Sequence, residues 1–282
     1  MNKIIIKKAS KQSKKLRVMF SASSGSGKTY GALLVAYGLC GDWNKICVID
    51  TERDSASLYS DLGDYSTISL SAPYTPERYI ECIKAAETAG FDVIIIDSIT
   101  HEWASDGGCL DIVAKLGGEF RHWGSVTPRH NKFIDAILTS SSHVFCTVRR
   151  KEEYAISQGA NGKTQIQKLG LGEIQRDGIS YEMDLVFEIT NSNHLAKASK
   201  DRTGIFVERP EFLLSTETGT ELKNWASKGR SDLDDAMDLV RSVTSLEELK
   251  DIYSQFPYLH NNDDFLKGVK LKKEEFKLVE QN

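Results

Sequence analysis

Long apolar runs are scarce in this 282-residue sequence. The longest unbroken stretch of Val, Ile and Leu is Val93 to Ile96, far short of the ~20 residues a membrane helix requires. The N-terminus has no apolar segment leading to a cleavage site, so a cytoplasmic chain with no membrane partner is expected. There are five prolines, no internal repeat, and no low-complexity segment beyond a Lys-rich leader. The five cysteines (Cys40, Cys47, Cys82, Cys109, Cys146) are odd in number, widely spaced and mostly in apolar surroundings. That pattern argues for reduced, buried thiols and against a disulfide or zinc framework. His101, His122, His130, His143, His194 and His260 show no metal-ligand spacing, so zinc is not expected.

What is present is ample chain for a core, 40% hydrophobic and 27% charged. The net charge of −4 hides an asymmetry: Lys3, Lys7, Lys8, Lys11, Lys14, Lys15 and Arg17 give residues 1–17 a charge of +7, leaving −11 for the rest. Clustered cations draw phosphate by counterion release, so residues 1–16 read as a basic arm suited to nucleic acid or a neighbouring subunit, or as a solvated tail. Overall acidity makes any DNA contact local.

Strands are predicted at Leu16–Ser21, Lys45–Asp50, Phe91–Asp97, His143–Val148 and Leu185–Ile189, with a strand, polar turn and strand over Ala196–Val207. Helices are predicted at Gly27–Leu39, Pro128–Leu138, and Pro76–Ala89, where Thr75 caps and Pro76 suits the first turn. This alternation implies an α/β core with a mostly parallel central sheet over residues 17–228. Helical spacing at Ser231–Val243, Leu246–Phe256 and Asp263–Val279 implies a small C-terminal helical appendage over residues 231–282, with Ser231 and Ser245 as caps.

Residues 23–29, Ser-Ser-Gly-Ser-Gly-Lys-Thr, follow a predicted strand and open a predicted helix, the context of a P-loop. In such a loop backbone N–H groups ring the β-phosphate, Lys28 reaches the β- and γ-oxygens, and the Thr29 hydroxyl ligates Mg²⁺. Ser24, Gly25, Ser26, Gly27, Lys28, Thr29 and Tyr30 are the candidate ATP contacts. Ala22 stands where the pattern has its first Gly. Asp97, ending a strand of four aliphatics, is the second metal candidate. Hydrolysis also needs a group that orients water, for which Glu52 and Glu102 both stand near strand ends.

These residues resemble the RecA-like branch of P-loop ATPases. The resemblance implies that Glu52 of Asp50-Thr51-Glu52 is the catalytic base, that Tyr59 stacks on adenine, and that Asp97-Ser98 closes the metal strand. It makes Arg149 the γ-phosphate sensor, where RecA has Gln. Ser199-Lys200-Asp201-Arg202-Thr203-Gly204 looks like the Lys-x-Arg turn with which hexameric RecA-core ATPases reach a neighbour's γ-phosphate. Two residues apart on an extended strand, Lys200 and Arg202 share a face; the bland reading is a basic surface turn.

More closely, residues 17–228 are similar to RecA-core ATPases of bacteriophages and prophages. The similarity rests on VIDTERDSASLY (48–59), APYTPERYIECIKAAE (72–87), DVIIIDSITHEW (92–103), VTPRHNKFIDAIL (126–138), TVRRKEEY (147–154) and KASKDRTGIF (197–206). It implies a DNA-stimulated, ATP- and Mg²⁺-dependent ATPase that forms a head-to-tail homo-oligomer, acting on single-stranded DNA in recombination or annealing, with a single-strand-binding protein as a further partner. The setting it implies is the bacterial host cytoplasm.

RecA-type cores bind single strands through two loops. The first counterpart is Thr100–Thr127, with Trp103, Phe120, Arg121, His122 and Trp123, the two tryptophans reading equally as core packing. The second is a polar loop at residues 150–176 carrying Arg150, Lys151, Lys163, Lys168 and Arg176, where cations mixed with aromatics suit backbone tracking and base stacking. Two other readings remain: a nucleotide-gated scaffold with little turnover, and a helicase- or packaging-type motor.

Overall fold

A computed structural model of the chain describes residues 14–158, 164–190, 193–227 and 232–279. It divides into two compact units, Lys15–Lys223 and the residues from Asn224 onward. Most of the basic leader lies outside the described residues.

The first unit is built on a mixed, mostly parallel sheet, the α/β P-loop NTPase fold. Chain order runs β1 (Arg17–Ala22), α1 (Lys28–Cys40), β2 (Ile46–Asp50), β3 (Ser66–Ser69), α2 (Pro76–Thr88) and β4 (Val93–Asp97). It continues through α3 (Thr100–Ala104), α4 (Cys109–Lys115), α5 (Trp123–Thr139), β5 (His143–Gln158), β6 (Thr164–Glu173) and α6 (Ile179–Glu182). Last come β7 (Leu185–Ile189), β8 (Leu195–Asp201), β9 (Phe212–Leu213) and α7 (Thr216–Ser227). Across the sheet the order is β3-β2-β4-β5-β1-β7-β8-β9, with β6 paired to β5. The strands from β3 to β7 are parallel; β8 and β9 close the edge antiparallel.

Both faces of the central strands are covered, which is why they read as continuous aliphatic runs. Met19, Ile49, Ile94, Ile96, Val144 and Val148 point toward Tyr79 and Ile83 of α2 and Phe133 and Ile137 of α5. The alternate residues Phe20, Phe145 and Phe187 form a ring cluster on the other face. Because β5 lies between β1 and β4, the end of its parallel part, at Val148 and Arg149, falls between the P-loop and the end of β4.

Several expectations need correction. The strand beginning at His143 does not stop at Val148: it runs to Gln158 and pairs antiparallel with β6, so 150–176 is largely a two-stranded ribbon and not a loop. From Arg150 on, β5 pairs with β6 alone, so the ribbon extends past the C-terminal edge of the parallel strands. In the 196–207 segment the second strand is Phe212–Leu213, after a longer turn. Thr75 does stand at the start of α2, but its side chain makes no capping bond.

Arg17 does not serve as part of the basic leader. Only 5% exposed, its guanidinium donates to the carbonyls of Leu16, Leu138, Ser140 and Ser142, and its amide donates to Asp184. It spends its charge on the carbonyl-rich C-terminus of α5, where a cation is favoured.

The second unit holds α8 (Asp232–Ser242), α9 (Leu246–Gln255) and α10 (Asp263–Val279) around Ala236, Val240, Leu249, Ile252, Phe256 and Phe265. Ser245 caps α9 by accepting from the Glu248 amide at 3.2 Å; Ser231 lies outside the described residues. Among the described residues no helix is long and apolar enough to cross a membrane.

His143 offers a test of the packing at the start of β5. Its Nδ1 accepts from the Leu16 amide at 3.0 Å, which requires a neutral ring. Burial, with Lys15 and Arg17 nearby, pulls its pKa down to about 3. Because the folded value lies below the unfolded ~6.5, the stabilisation is complete above pH ~6.5 and is lost as pH falls toward the folded value. Urea unfolding at pH 7 and pH 5 should show the wild type losing up to about 1.4 kcal/mol per pH unit from this residue, a slope that His143→Gln removes.

Candidate nucleotide site

The P-loop is shaped by two glycines in the left-handed region, Gly25 at φ 78° and Gly27 at φ 82°. A side chain at either position would be strained. Ala22 is the last residue of β1, paired with Arg149 in ordinary extended backbone, so its methyl group is accommodated there. The Ser23 carbonyl accepts from Ser26 Oγ and from Lys28 Nζ, both at 2.9 Å, closing the loop on itself. Burial pulls the Lys28 ammonium below its ordinary pKa, while Asp97 and Glu52 oppose that shift.

At the head of α1, Thr29 Oγ1 donates to Asp97 Oδ2 at 2.5 Å, and from β5 Thr147 Oγ1 donates to Asp97 Oδ1 at 2.5 Å. Asp97 is fully buried. Burial pushes its pKa up, as does Glu52, while Thr147, Thr29 and Lys28 act the other way. A hydroxyl and a carboxylate, both hard oxygen donors beside the P-loop lysine, fit Mg²⁺.

The turn after β2 carries Glu52. Asp50 folds it by accepting from the amides of Glu52 at 2.6 Å and Ala56 at 2.7 Å. Thr51 stitches it to β4, donating from Oγ1 to the Asp97 carbonyl at 3.0 Å and accepting the Ser98 amide at 2.8 Å. Thr51 Oγ1 also lies 2.6 Å from His101 Nδ1, whose ring stacks on Tyr74. From the middle of β5, where its pairing with β1 ends, Arg149 reaches Glu52 Oε1 with Nε and a terminal nitrogen, each at 2.9 Å. The expected base and the expected sensor are thus an ion pair.

A cavity of about 700 Å³ is lined by the loop from Ser24 to Tyr30, Glu52, Tyr59 and His194. Tyr30 and Tyr59 meet at its wall, centroids 5.7 Å apart. The sequence had left Glu102 as a rival to Glu52. Glu102 is completely buried and bound by His130 and Cys109, away from this cavity. Only Glu52 of the two acids lines it.

Lys200 and Arg202 are brought together, both donating to the Tyr181 carbonyl; Lys200 also donates to Ser180 at 3.0 Å. They lie far from the P-loop of their own chain. Asp201 pairs with Leu185, which faces Val18 near the start of β1, whereas the P-loop leaves the other end of that strand.

The expected DNA cations are dispersed. Arg150 is bound to Glu188 at 2.8 Å and to the Leu171 carbonyl, anchoring the base of the ribbon. Lys151 is exposed at that base, Lys168 lies on β6, and Lys163 is outside the described residues. Arg176 donates to Asn131 at 3.2 Å. Trp103 and Trp123 stack on each other at 5.4 Å against a small apolar cluster, while Phe120 is 91% exposed.

Sequence reasoning missed Thr147, Asp50 as the organiser of its turn, and His194. The His194 ring reaches the Ser26 carbonyl at 3.1 Å from a segment 168 residues away. Nothing in the local sequence of Thr147 or His194 marks them; strand order alone brings them to the loop.

The chain matches the family described as an AAA domain over residues 14–224. Among curated proteins none matches it.

Removing one wall of the cavity tests its assignment. Tyr59→Ala should weaken binding of a fluorescent ATP analogue about tenfold, the scale of one lost aromatic stack, with thermal stability unchanged. Undiminished binding would place the base elsewhere.

Proposed function

The chain belongs to the AAA-domain family of P-loop ATPases, and from that premise we propose that it hydrolyses ATP between subunits of a head-to-tail oligomer and uses the nucleotide to control binding of single-stranded DNA. The observation that carries the hydrolytic part is the convergence of Lys28, Thr29, Asp97, Glu52 and Arg149 from four elements at one end of the parallel strands.

In this reading Lys28 exchanges the Ser23 carbonyl for phosphate oxygens, as expected of a cation held by a single neutral acceptor. Thr29 and Asp97 would hold Mg²⁺, which would supply positive charge to offset that of the phosphates. Arg149 is drawn toward the γ-phosphate, which frees Glu52 to orient water and accept its proton. The Arg149–Glu52 pair therefore keeps the base occupied until a polyphosphate competes for the guanidinium.

The placement of Lys200 and Arg202 favours action in trans. β1 is six residues long, so the far edge of the sheet is roughly 15–20 Å from the P-loop, beyond the reach of a side chain. A cation delivered by a neighbour would couple turnover to assembly. For DNA, the support is the β5–β6 ribbon rising from the same sheet edge as the P-loop, with Lys151 exposed at its base, and Phe120 standing free for stacking. The phage-type recombination role, and a single-strand-binding protein as partner, rest on the resemblance of the sequence.

ATP turnover measured alone and with single-stranded DNA, duplex DNA or RNA tests the reading. Single strands should stimulate hydrolysis, and Glu52→Gln should bind ATP yet lose at least about 10²-fold in kcat. Mixing Lys28→Ala chains with Lys200→Ala/Arg202→Ala chains should restore part of the rate. Indifference to every nucleic acid favours the scaffold reading, and absence of rescue at any mixing ratio removes the trans assignment.

A further inference from the structure

The helices that follow β4 bring together three side chains that the ATPase chemistry does not use. Glu102 comes from α3, Cys109 opens α4, and His130 lies on α5. Glu102 and Cys109 are wholly buried and His130 is 3% exposed. The Cys109 thiol donates to Glu102 Oε1 at 3.1 Å, and His130 Nδ1 lies 3.0 Å and 3.2 Å from the two carboxylate oxygens. One potential ligand atom from each residue falls within 4.8 Å of the other two.

A sulfur, an imidazole nitrogen and a carboxylate oxygen form a donor set for zinc; Mg²⁺ and Ca²⁺ take oxygen. The spacing along the chain concealed it, since the third ligand follows 28 residues after the first. Gln175 is the neighbouring polar side chain, buried, with its amide 2.9 Å from the Ile99 carbonyl and 3.4 Å from Glu102 Oε2. Its amide oxygen accepts from the Arg176 amide at 2.7 Å, so the fourth position of a tetrahedral ion falls to water.

The surroundings supply a reason for a staple. α3 has five residues and α4 seven, and their apolar cluster holds only Cys109, Val113 and Val126 as buried members, edged by Trp103, Ile112 and Trp123. Short helices around so small a cluster gain most from a cross-link through a metal. Zinc binds cysteine as the thiolate, so on binding the thiol proton leaves to solvent.

We propose that Glu102, Cys109 and His130 form a structural zinc site that fastens α3, α4 and α5 together, distinct from the position between Thr29 and Asp97 that suits Mg²⁺.

The test is metal analysis of the full-length protein, purified without metal-affinity resin and dialysed against metal-free buffer. Wild type should retain about one zinc per chain. Cys109→Ser and His130→Gln should lose most of it, while Lys28→Ala, altered only in the nucleotide site, should keep it. Cobalt-loaded wild type should show a thiolate-to-cobalt charge-transfer band that Cys109→Ser lacks. Folded wild type that holds no zinc and gives no such band with excess cobalt overturns the proposal, as does full zinc retention by Cys109→Ser. If Cys109→Ser fails to fold, the zinc content and cobalt band of wild type decide the matter.

Discussion

The carboxylate of Asp97 holds the nucleotide site together. It sits at the end of β4 with no exposed surface and accepts hydroxyl hydrogen bonds from Thr29 at the head of α1 and Thr147 on β5. Its backbone carbonyl accepts from Thr51, which fixes the turn bearing Glu52. A buried carboxylate with so few donors is electrostatically uncomfortable: burial and Glu52 both push its pKa up. A divalent cation would offset that cost, and in the proposed function this prepares the resident residues for Mg²⁺.

Charge balance around this point follows from strand order. β5 lies between β1 and β4, so Arg149, where the parallel part of β5 ends, faces Glu52 from across β4. Two cations, Lys28 and Arg149, thus stand among two acids, Asp97 and Glu52, and each cation has a partner that phosphate would displace in the proposed function. The overall acidity of the chain has no bearing here. Arg17 shows how poorly a charge count reports function: it stands in the most basic stretch of the sequence, yet is consumed by four backbone carbonyls.

The parallel core was legible because strands buried on both faces leave continuous aliphatic runs such as Val93–Ile96, and the P-loop was legible because its ligands are contiguous. β3 was not, being a polar edge strand, Ser-Thr-Ile-Ser, largely exposed. The outer half of β5 was not, because a ribbon lying beyond the sheet imposes no apolar alternation on its charged sequence. α3 and α4 are too short to show a helical period. The pairings that build the sites, Thr147 with Asp97, Arg149 with Glu52, and Glu102 with Cys109 and His130, join distant segments that only topology brings together. Motifs name the groups expected at the phosphates; the groups that aim them are set by the fold.

ATP binding titrated against Mg²⁺ in wild type and Asp97→Asn tests most directly whether this buried carboxylate organises the site. Wild-type affinity should rise about tenfold or more between chelator and saturating Mg²⁺, and Asp97→Asn, folded and still binding nucleotide weakly, should show no such rise. A variant whose affinity responds to Mg²⁺ as the wild type's does would contradict the account.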